Sequence, residues 1–382
     1  MGLAVLLLGT SVALAQSDCS PCEPLCNPCE PLCGSGGICN SPFTFNGWIE
    51  MGLCGNSNGG GSDNGPMRVD SRSRTDFILS QLYLSFAKEM NTRRGFDWGA
   101  SADLVYGAHA GGMQTFGDET FDFDWGTNRH GYSMSAYNLY GTLGYKDWSV
   151  KVGKFGTPVG WEESAAKNNF FYSHSYCYWI EPATHMGVLG TYDMSKRLSV
   201  SAGWVTGMDS SFSNPNDNQG VLTGFTYSLT DNATVYYWFN GGKQFDLGTS
   251  TRFDYFVQSL CYEWTPTKRF TYVLQYNLRN DNKIGGGSRY SSYGINNHFL
   301  YKLSDQWGAG MRLEWLRENG GFLTDFGGNY YEASWGLNWN PCDNVSVRPE
   351  IRYDWYHGAY TPFGNDSRKD QVTGACGVVV SF

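Results

Sequence analysis

The chain has 382 residues, a formal net charge of −9 and only 16% charged residues, whereas Gly (49), Tyr (25), Phe (23) and Trp (14) are abundant. An acidic chain without a basic stripe disfavours a nucleic-acid partner. Because aromatic residues favour strands and glycine is depleted from helices, the composition predicts an all-β protein.

Residues 1–15 have the pattern of a signal peptide. An apolar run from Leu3 to Leu8 precedes small residues at Ala13 and Ala15, which fits cleavage after Ala15. No Lys or Arg precedes the run, so a buried first strand or helix is the alternative. The run is too short to cross a bilayer as a helix, and no later stretch reaches the ~20 apolar residues required. The sequence therefore predicts export, and any membrane insertion has to use strands.

Residues 16–42 form a Cys/Pro-rich leader that we place in the periplasm, in which "PCEPLCN" is followed by "PCEPLCG". Its six cysteines are Cys19, Cys22, Cys26, Cys29, Cys33 and Cys39. Their spacings permit a metal site, but no His accompanies them and an exported chain meets an oxidising compartment. We expect disulfides, local or between subunits, whose pairing the sequence does not decide. No metal or other cofactor is expected.

From Phe43 onward, apolar and polar residues alternate with the period of a β-strand. In "VSVRPEIRYDW" every second residue from Val345 to Trp355 is apolar or aromatic, and the residues between them are polar or charged. Sixteen such segments are predicted, over residues 43–53, 77–88, 96–107, 136–145, 148–155, 185–192, 198–206, 220–229, 233–241, 254–264, 269–279, 292–303, 306–317, 330–339, 345–355 and 370–382.

The connections between these segments alternate between short turns and long Gly/Asn/Asp/Ser-rich loops, and aromatic residues stand at both ends of the apolar faces. Trp307 and Trp315 bracket one segment in this way. Aromatic girdles at two interfaces are typical of strands that cross an outer membrane. Since every backbone group must be paired in hydrocarbon, the sheet has to close on itself. We predict a transmembrane antiparallel β-barrel of about 16 strands over residues 43–382, with short periplasmic turns, long extracellular loops and contact with outer-membrane lipid.

The last segment, "GACGVVVSF", ends on an aromatic residue, Phe382. Alternating apolar residues with an aromatic carboxyl terminus resemble the assembly signal of bacterial outer-membrane barrels. The resemblance implies that Phe382 is read by the barrel-assembly machinery. Simple packing of Phe382 over a neighbouring strand is the alternative, and both can hold.

Four stretches of the chain, taken in order, resemble the OmpL-like β-barrel porins. They are "FTFNGWIEMGLCGNSN" (Phe43–Asn58), "SQLYLSFAKE" (Ser80–Glu89), "DWSVKVGKFGTPVGWE" (Asp147–Glu162) and the terminal strand. The resemblance covers roughly Phe43 to Phe382 and implies a passive outer-membrane channel for small hydrophilic solutes. By analogy with general porins, a homotrimer is expected.

The longest connection, residues 156–184, occupies the position of the loop that narrows general porins, and it carries seven large aromatic rings. We predict that it folds into the barrel and that its acidic residues line the constriction. The wall is expected to supply basic residues, interleaved with acidic ones, that set a transverse field. The loop acids are Glu162, Glu163 and Glu181, and the wall charges are Arg312, Arg348, Arg352, Glu314 and Glu350. A cross-strand ladder of ion pairs that stiffens the barrel is the alternative for the wall set.

The sequence favours a channel over an enzyme. The six histidines lie mostly in predicted loops, and none has a recognisable catalytic partner motif. A structural or adhesive surface barrel, cross-linked through the Cys-rich leader, remains the alternative function.

Overall fold

The structure is a computed structural model, and it describes residues 42–58, 76–115, 122, 125, 131–211, 217–246, 251–283, 289–320, 327–364 and 366–382. The predicted signal peptide and the six leader cysteines fall in residues 1–41, outside the described residues. Their cleavage and their disulfides therefore stay predictions.

Sixteen antiparallel strands in the described residues close into one barrel, in which each strand pairs with its sequence neighbours and β1 pairs with β16. The strands are β1 (Phe43–Asn56), β2 (Asp76–Lys88), β3 (Phe96–Gly107), β4 (Ser133–Tyr145), β5 (Trp148–Gly156), β6 (Thr184–Asp193), β7 (Leu198–Val205), β8 (Gln219–Thr230), β9 (Ala233–Asp246), β10 (Thr251–Thr267), β11 (Phe270–Lys283), β12 (Arg289–Lys302), β13 (Trp307–Asn319), β14 (Gly328–Cys342), β15 (Val345–His357) and β16 (Asp370–Ser381). The predicted fold and strand number are confirmed.

The period-two alternation sorts side chains between the lumen and the outer surface. On β15, Arg348, Glu350 and Arg352 are buried inside the barrel, whereas Pro349 and Ile351 are exposed on the outside. A one-residue slip would place the charged set in hydrocarbon, so the register is strongly specified.

Closure of the barrel brings the carboxyl terminus onto β1. Phe382 N donates to Gly47 O and Gly47 N donates to Phe382 O, both at 2.9 Å. The Phe382 ring lies so close to Gly47 that a Cβ there would collide with it. The terminal aromatic residue therefore packs on the first strand while its backbone completes the seam.

Aromatic pairs on neighbouring strands form belts near both ends of the outer surface. Trp307 stacks on Trp339 with ring centroids 5.9 Å apart, close to the short turns. Tyr331 stacks on Trp355 at 5.2 Å, near the long loops. Such cross-strand pairs stabilise the sheet and match the girdles that the sequence predicts.

At the long-loop end, some strands extend beyond their predicted bounds. The segments predicted over 233–241 and 254–264 run to Asp246 and begin at Thr251, because β9 and β10 stay paired throughout this polar stretch. The expected long loop between them is therefore replaced by a short connection. The polar side chains of this stretch favour a loop, but its backbone N–H and C=O groups are paired between the two strands.

Helical structure is scarce in the described part of the chain. One α-helical turn, α1 (Tyr176–Trp179), and three short 3₁₀ turns interrupt the connections. Among the residues described, no helix has the length and apolar character needed to cross a bilayer.

Candidate functional site

The connection between β5 and β6, residues 157–183, lies inside the barrel; we call it the inner loop. It contains α1, whose first turn is capped where Ser175 Oγ accepts a hydrogen bond from Tyr178 N at 3.2 Å. From β5 the inner loop crosses the lumen and contacts inward-facing side chains of the opposite wall. Its fold therefore depends on contacts with the wall together with hydrogen bonds inside the loop itself.

Glycines on the wall strands make room for the rings of the inner loop. The Tyr172 ring lies where a Cβ on Gly52 or Gly377 would be, and the Phe170 ring occupies the same place beside Gly310. All three glycines stand at inward-facing positions of their strands. Close approach of a ring to the backbone requires glycine there, and this explains part of the glycine content of the chain.

Carboxylates of the wall accept hydrogen bonds from backbone N–H groups of the inner loop. Glu350 Oε2 accepts from Tyr172 N and Ser173 N, both at 3.0 Å. Glu314 accepts from the first two N–H groups of α1, at 2.6 Å each. These N–H groups have no partner in a sheet or helix, so the wall carboxylates satisfy them.

Guanidinium groups of the wall satisfy carbonyl oxygens of the inner loop in the same way. Arg348 Nη1 donates to Ala166 O at 2.7 Å and to Asn169 O at 2.8 Å. Arg352 Nη1 donates to His174 O at 2.6 Å. The acidic and basic residues of β13 and β15 thus clamp the inner loop by its backbone.

Arg312 on β13 is the centre of this clamp and is completely buried. Its guanidinium lies 2.8 Å from Glu162 of the inner loop and 3.0 Å from Glu332 of the neighbouring strand. It also donates to Ser173 O at 2.8 Å, and Glu350 lies 4.0 Å away. The loop acid and the wall base that the sequence predicts to face each other are therefore in direct contact, and Arg312 also belongs to a cross-strand ion pair.

The three predicted loop acids have different surroundings. Burial opposes a charge on Glu162, but the guanidinium of Arg312 holds the pKa of that carboxyl below its usual range. Burial raises the pKa of Glu163, which is half-buried and accepts from Asn168 Nδ2 at 2.6 Å. Burial raises the pKa of Glu181 well above the usual range, although two amide side chains of β11 hydrogen-bond to its carboxyl.

Two other basic residues, Lys302 and Arg279, lie near the predicted set. Lys302 pairs with Asp305 at 2.7 Å, in the turn after β12. Arg279 pairs with Asp281 at 3.0 Å, and its Nη1 lies 3.4 Å from Ile180 O of the inner loop. Arg279 therefore supports the inner loop, while Lys302 stands apart from it.

The wall from β5 to β10 carries an inward-facing apolar cluster. Val159 of the inner loop and Met208 of the next long connection pack over it. Its other buried members are Phe155, Leu189, Val205, Leu222, Tyr255 and Val257. With the clamp on one side and this cluster on the other, inward side chains at mid-height are buried on both sides of the barrel.

The connection after β7 also turns inward, and Asp209 fixes it to the end of the inner loop. Asp209 Oδ1 accepts from Ala183 N at 2.9 Å and from Thr184 N at 2.7 Å. Met208 N donates to Gln244 Oε1 at 3.0 Å. Burial raises the pKa of Asp209 to about 6.

A buried ion pair holds part of the connection between β3 and β4. Lys154 Nζ lies 2.5 Å from Asp122, and both side chains are fully buried. The same carboxylate accepts from Thr115 N and from Ser135 Oγ, each at 2.8 Å. The buried carboxylate and the buried ammonium group are thus both paired, as buried charges require.

Sequence reasoning found the charged residues of β13 and β15 but missed Asp209, the Lys154–Asp122 pair and the apolar cluster. The first set is visible because charges recur at every second position of a strand. The missed residues lie in or under irregular connections, where no periodicity indicates which side chains come together. Length and aromatic content drew attention to the inner loop alone.

Among the described residues, no group of His, Cys, Asp or Glu side chains could hold a metal ion. A closed sixteen-stranded antiparallel barrel with an apolar outer surface, charged residues in its lumen and a long connection folded inside defines the class of porin-like outer-membrane barrels.

Comparisons of the sequence and of the fold with known proteins support this class. Residues 42–382 match the family described as "Putative beta-barrel porin-2, OmpL-like", and the chain belongs to that family. The predicted family resemblance is thereby confirmed. No curated protein matches the sequence significantly.

Several solved structures have a similar fold. OmpT, an outer membrane protein of Vibrio cholerae in its trimer form, is 13% identical with a TM-score of 0.57, covering 89% of this chain and 99% of its own. The outer membrane channel DcaP of Acinetobacter baumannii is 10% identical with a TM-score of 0.59, covering 89% and 97%. OprB of Pseudomonas putida is 12% identical with a TM-score of 0.59, covering 90% and 95%. Family and fold together support a place in the outer membrane and point to a channel rather than an enzyme.

Proposed function

We propose that this protein is an outer-membrane porin, a water-filled channel through which small hydrophilic solutes and ions diffuse passively, and that the inner loop forms its constriction. The observation that carries the proposal is the clamp: wall residues of β13 and β15 hold the backbone of the inner loop inside the lumen. A loop fixed in this way narrows the path permanently, and solutes are then selected by size and charge.

The charges of the clamp and the charges met by a passing ion are, in our proposal, different sets. Glu162, Arg312 and Arg348 are buried and paired, so their fields largely cancel at a distance. On the inner loop, Lys167 is exposed and Glu163 is half-buried. We therefore assign ion selectivity to Glu163 and Lys167. In this proposal the clamp holds the inner loop in the position that narrows the channel.

Single-channel conductance in a planar bilayer under a salt gradient tests the proposal. A porin gives stepwise openings, and the reversal potential gives the sign of the preferred ion. A correctly folded barrel that stays silent would replace the porin by the alternative, a plugged structural or adhesive surface barrel. The observation that favours this alternative is the burial of inward side chains at mid-height on both walls, since a plugged barrel has a filled lumen.

We propose further that the barrel works as a homotrimer, inserted by the barrel-assembly machinery among outer-membrane lipids. Support for the trimer comes from the Vibrio cholerae OmpT structure, which is described as a trimer form. Native mass spectrometry of the protein extracted in mild detergent should give three times the chain mass. A monomer, both in mild detergent and after in-membrane cross-linking, would contradict the trimer and leave the proposed channel function unaffected.

A further inference from the structure

One lysine on the wall of the lumen has no acidic partner. Lys151 lies on β5 between Val150 and Val152, whose side chains are exposed on the outer surface. Because successive side chains of a strand point to opposite faces, Lys151 faces the lumen. β5 begins at a short turn and the inner loop follows its other end, so Lys151 lies on the short-turn side of the inner loop.

Aromatic rings hold the ammonium group of Lys151. Its Nζ lies 4.5 Å from the centroid of the Tyr140 ring and 5.2 Å from that of the Phe155 ring. A cation–π contact orients the side chain but leaves its positive charge without a counter-charge. Lys154, further along the same strand, differs in this respect because its ammonium group is paired with Asp122.

Solvent in the lumen reaches this ammonium group. Lys151 is half-buried, and within the described part of the chain its Nζ has no hydrogen-bond or ion-pair partner. It is nevertheless absent from the set of unpartnered polar atoms that are closed off from solvent. The aliphatic stem therefore packs on the rings while the charged end stays open to a passing solute.

The inward positions next to Lys151 are uncharged. Its cross-strand partners are Thr142 on β4 and Leu189 on β6. The next inward residue of β5 towards the short turn is Ser149. Side chains at such positions are the neighbours that a cross-strand ion pair would need, so the wall itself does not neutralise Lys151.

Two acids on nearby strands are distant or already bonded. Asp193 is on β6, four residues beyond the partner of Lys151, or about 13 Å along the strand. Salt at physiological strength screens exposed charges over ~8 Å. Asp103, two strands away on β3, accepts from Tyr83 OH at 2.7 Å and from Ser85 Oγ at 2.6 Å. Neither acid pairs with Lys151, which therefore keeps its positive charge on this part of the wall.

We infer that Lys151 is a second position of the filter, at which small anions such as chloride and inorganic phosphate are attracted and held during passage. An unpaired charge on the wall of a narrow lumen raises the local concentration of counter-ions, because the low-dielectric walls focus its field. Lys167 of the inner loop has a similar setting: it is exposed, and its Nζ lies 4.8 Å from the centroid of the Trp48 ring. The inference rests on the proposed function, since it names a solute class for the same channel.

Lys146 provides a matched control for Lys151. Its Nζ also lies over a ring, 5.2 Å from the centroid of Tyr145, but it is exposed in the short turn before β5. The reversal potential under a potassium chloride gradient measures selectivity. Lys151→Gln should lower the permeability of chloride relative to potassium by roughly 2- to 10-fold, and Lys146→Gln should leave it unchanged. Lys151→Arg keeps the charge and should retain the selectivity, whereas a packing role would not distinguish Arg from Gln by charge.

Protection of Lys151 from acetylation tests the inference without conduction. Acetic anhydride labels accessible amines of the unaltered barrel in detergent, and mass spectrometry of proteolytic peptides reports each lysine. Inorganic phosphate should slow the labelling of Lys151 in a saturable manner, by about 10-fold at ten times the half-maximal concentration. Lys146 in the same sample should be labelled at an unchanged rate. This measurement decides if Lys151→Gln does not fold.

The outcomes separate the anion position from the channel. A conducting channel whose reversal potential is unchanged by Lys151→Gln, or in which phosphate does not protect Lys151, overturns the anion position and leaves the porin standing. Equal effects of phosphate on Lys151 and Lys146 would indicate general screening by salt and would also overturn it. Saturable protection of Lys151 in a barrel that never conducts supports the anion position and overturns the porin.

Discussion

At the scale of single residues, buried charges in the lumen persist because each has several partners. Arg312 has Glu162, Glu332 and a backbone carbonyl, and Arg352 holds Asp354 by two hydrogen bonds from one guanidinium. Removing one partner from such a set leaves another charge uncompensated in a site of low dielectric. Stability and ion selectivity should therefore respond to different substitutions.

Glu162→Gln and Glu163→Gln separate these two effects. Glu162→Gln removes a charged partner of buried Arg312 and should lower the free energy of unfolding by about 1.5–3 kcal/mol. Glu163→Gln removes a charge that solvent reaches, so it should lower the cation preference with little loss of stability. Unfolding in urea and the reversal potential under a salt gradient measure the two. An unchanged reversal potential for Glu163→Gln would remove that residue from the filter.

Asp209 should make stability depend on pH. Its pKa is about 6 in the folded protein, against about 3.9 in the unfolded chain, because burial disfavours the carboxylate. Between these values the folded state binds the proton that the unfolded state has lost, so stability rises as pH falls from 6 to 4. In detergent micelles, the melting temperature should rise less between pH 6 and pH 4 for Asp209→Asn than for the unaltered protein. The Oδ1 of this variant can still accept from Ala183 N and Thr184 N. Equal gains in both proteins would contradict the assignment.

At the scale of an element, the inner loop behaves as part of the wall although only two short turns of it are helical. Its backbone groups are satisfied by side chains of β13 and β15, and its rings fill the places left by wall glycines. Connections that rely on solvent for their backbone hydrogen bonds are mobile, whereas buried and bonded ones are protected. The inner loop should therefore be rigid.

Hydrogen exchange tests this rigidity. The amides of Tyr172, Ser173, Tyr176 and Cys177 should exchange at least about 100-fold more slowly than unprotected amides. Mass spectrometry of proteolytic peptides measures the rates. Glu350→Ala should release protection at Tyr172 and Ser173 while leaving the Glu314-bonded amides of α1 slow. Uniformly fast exchange in the unaltered protein would mean that the clamp does not hold the loop.

At the scale of the whole molecule, closure decides whether sixteen strands make a stable membrane protein. An open edge would leave a row of N–H and C=O groups in hydrocarbon, and only pairing between β1 and β16 removes it. Phe382 stands at this seam, with two backbone hydrogen bonds to Gly47 and its ring over the same residue. The terminal residue therefore has a structural role in addition to the predicted role in delivery.

Deleting Phe382 should lower both the yield in the outer membrane and the stability of the assembled barrel. Loss of two hydrogen bonds at the seam corresponds to roughly 1–3 kcal/mol. Yield is measured by fractionation and immunoblot, and stability by thermal unfolding. Phe382→Tyr keeps the backbone bonds and an aromatic ring, so it serves as the control with near-normal values. A normal outer-membrane yield after deletion would rule out the delivery signal.

Interior contacts were predictable only where they lie on regular strands. Arg352 could be assigned to the lumen because it alternates with Ile351 and Tyr353, and a strand has only two faces. Asp209 could not be assigned to the lumen from the sequence. It lies in an irregular connection and meets Ala183 and Thr184 at the end of another one, and neither connection has a periodic pattern. The predicted loop between β9 and β10 was wrong for a related reason, since polar composition does not reveal backbone pairing beyond the membrane.

The sequence by itself determined the barrel. Alternation sets which side chains face lipid, hydrocarbon requires every strand to be paired, and these two conditions leave a closed antiparallel sheet as the solution. Only the tertiary structure decided how the lumen is filled. Whether Glu162 faces Arg312 across water or contacts it depends on how residues 157–183 pack, and that packing is set by contacts between segments far apart in the chain. Such contacts have no period, so no local pattern can encode them.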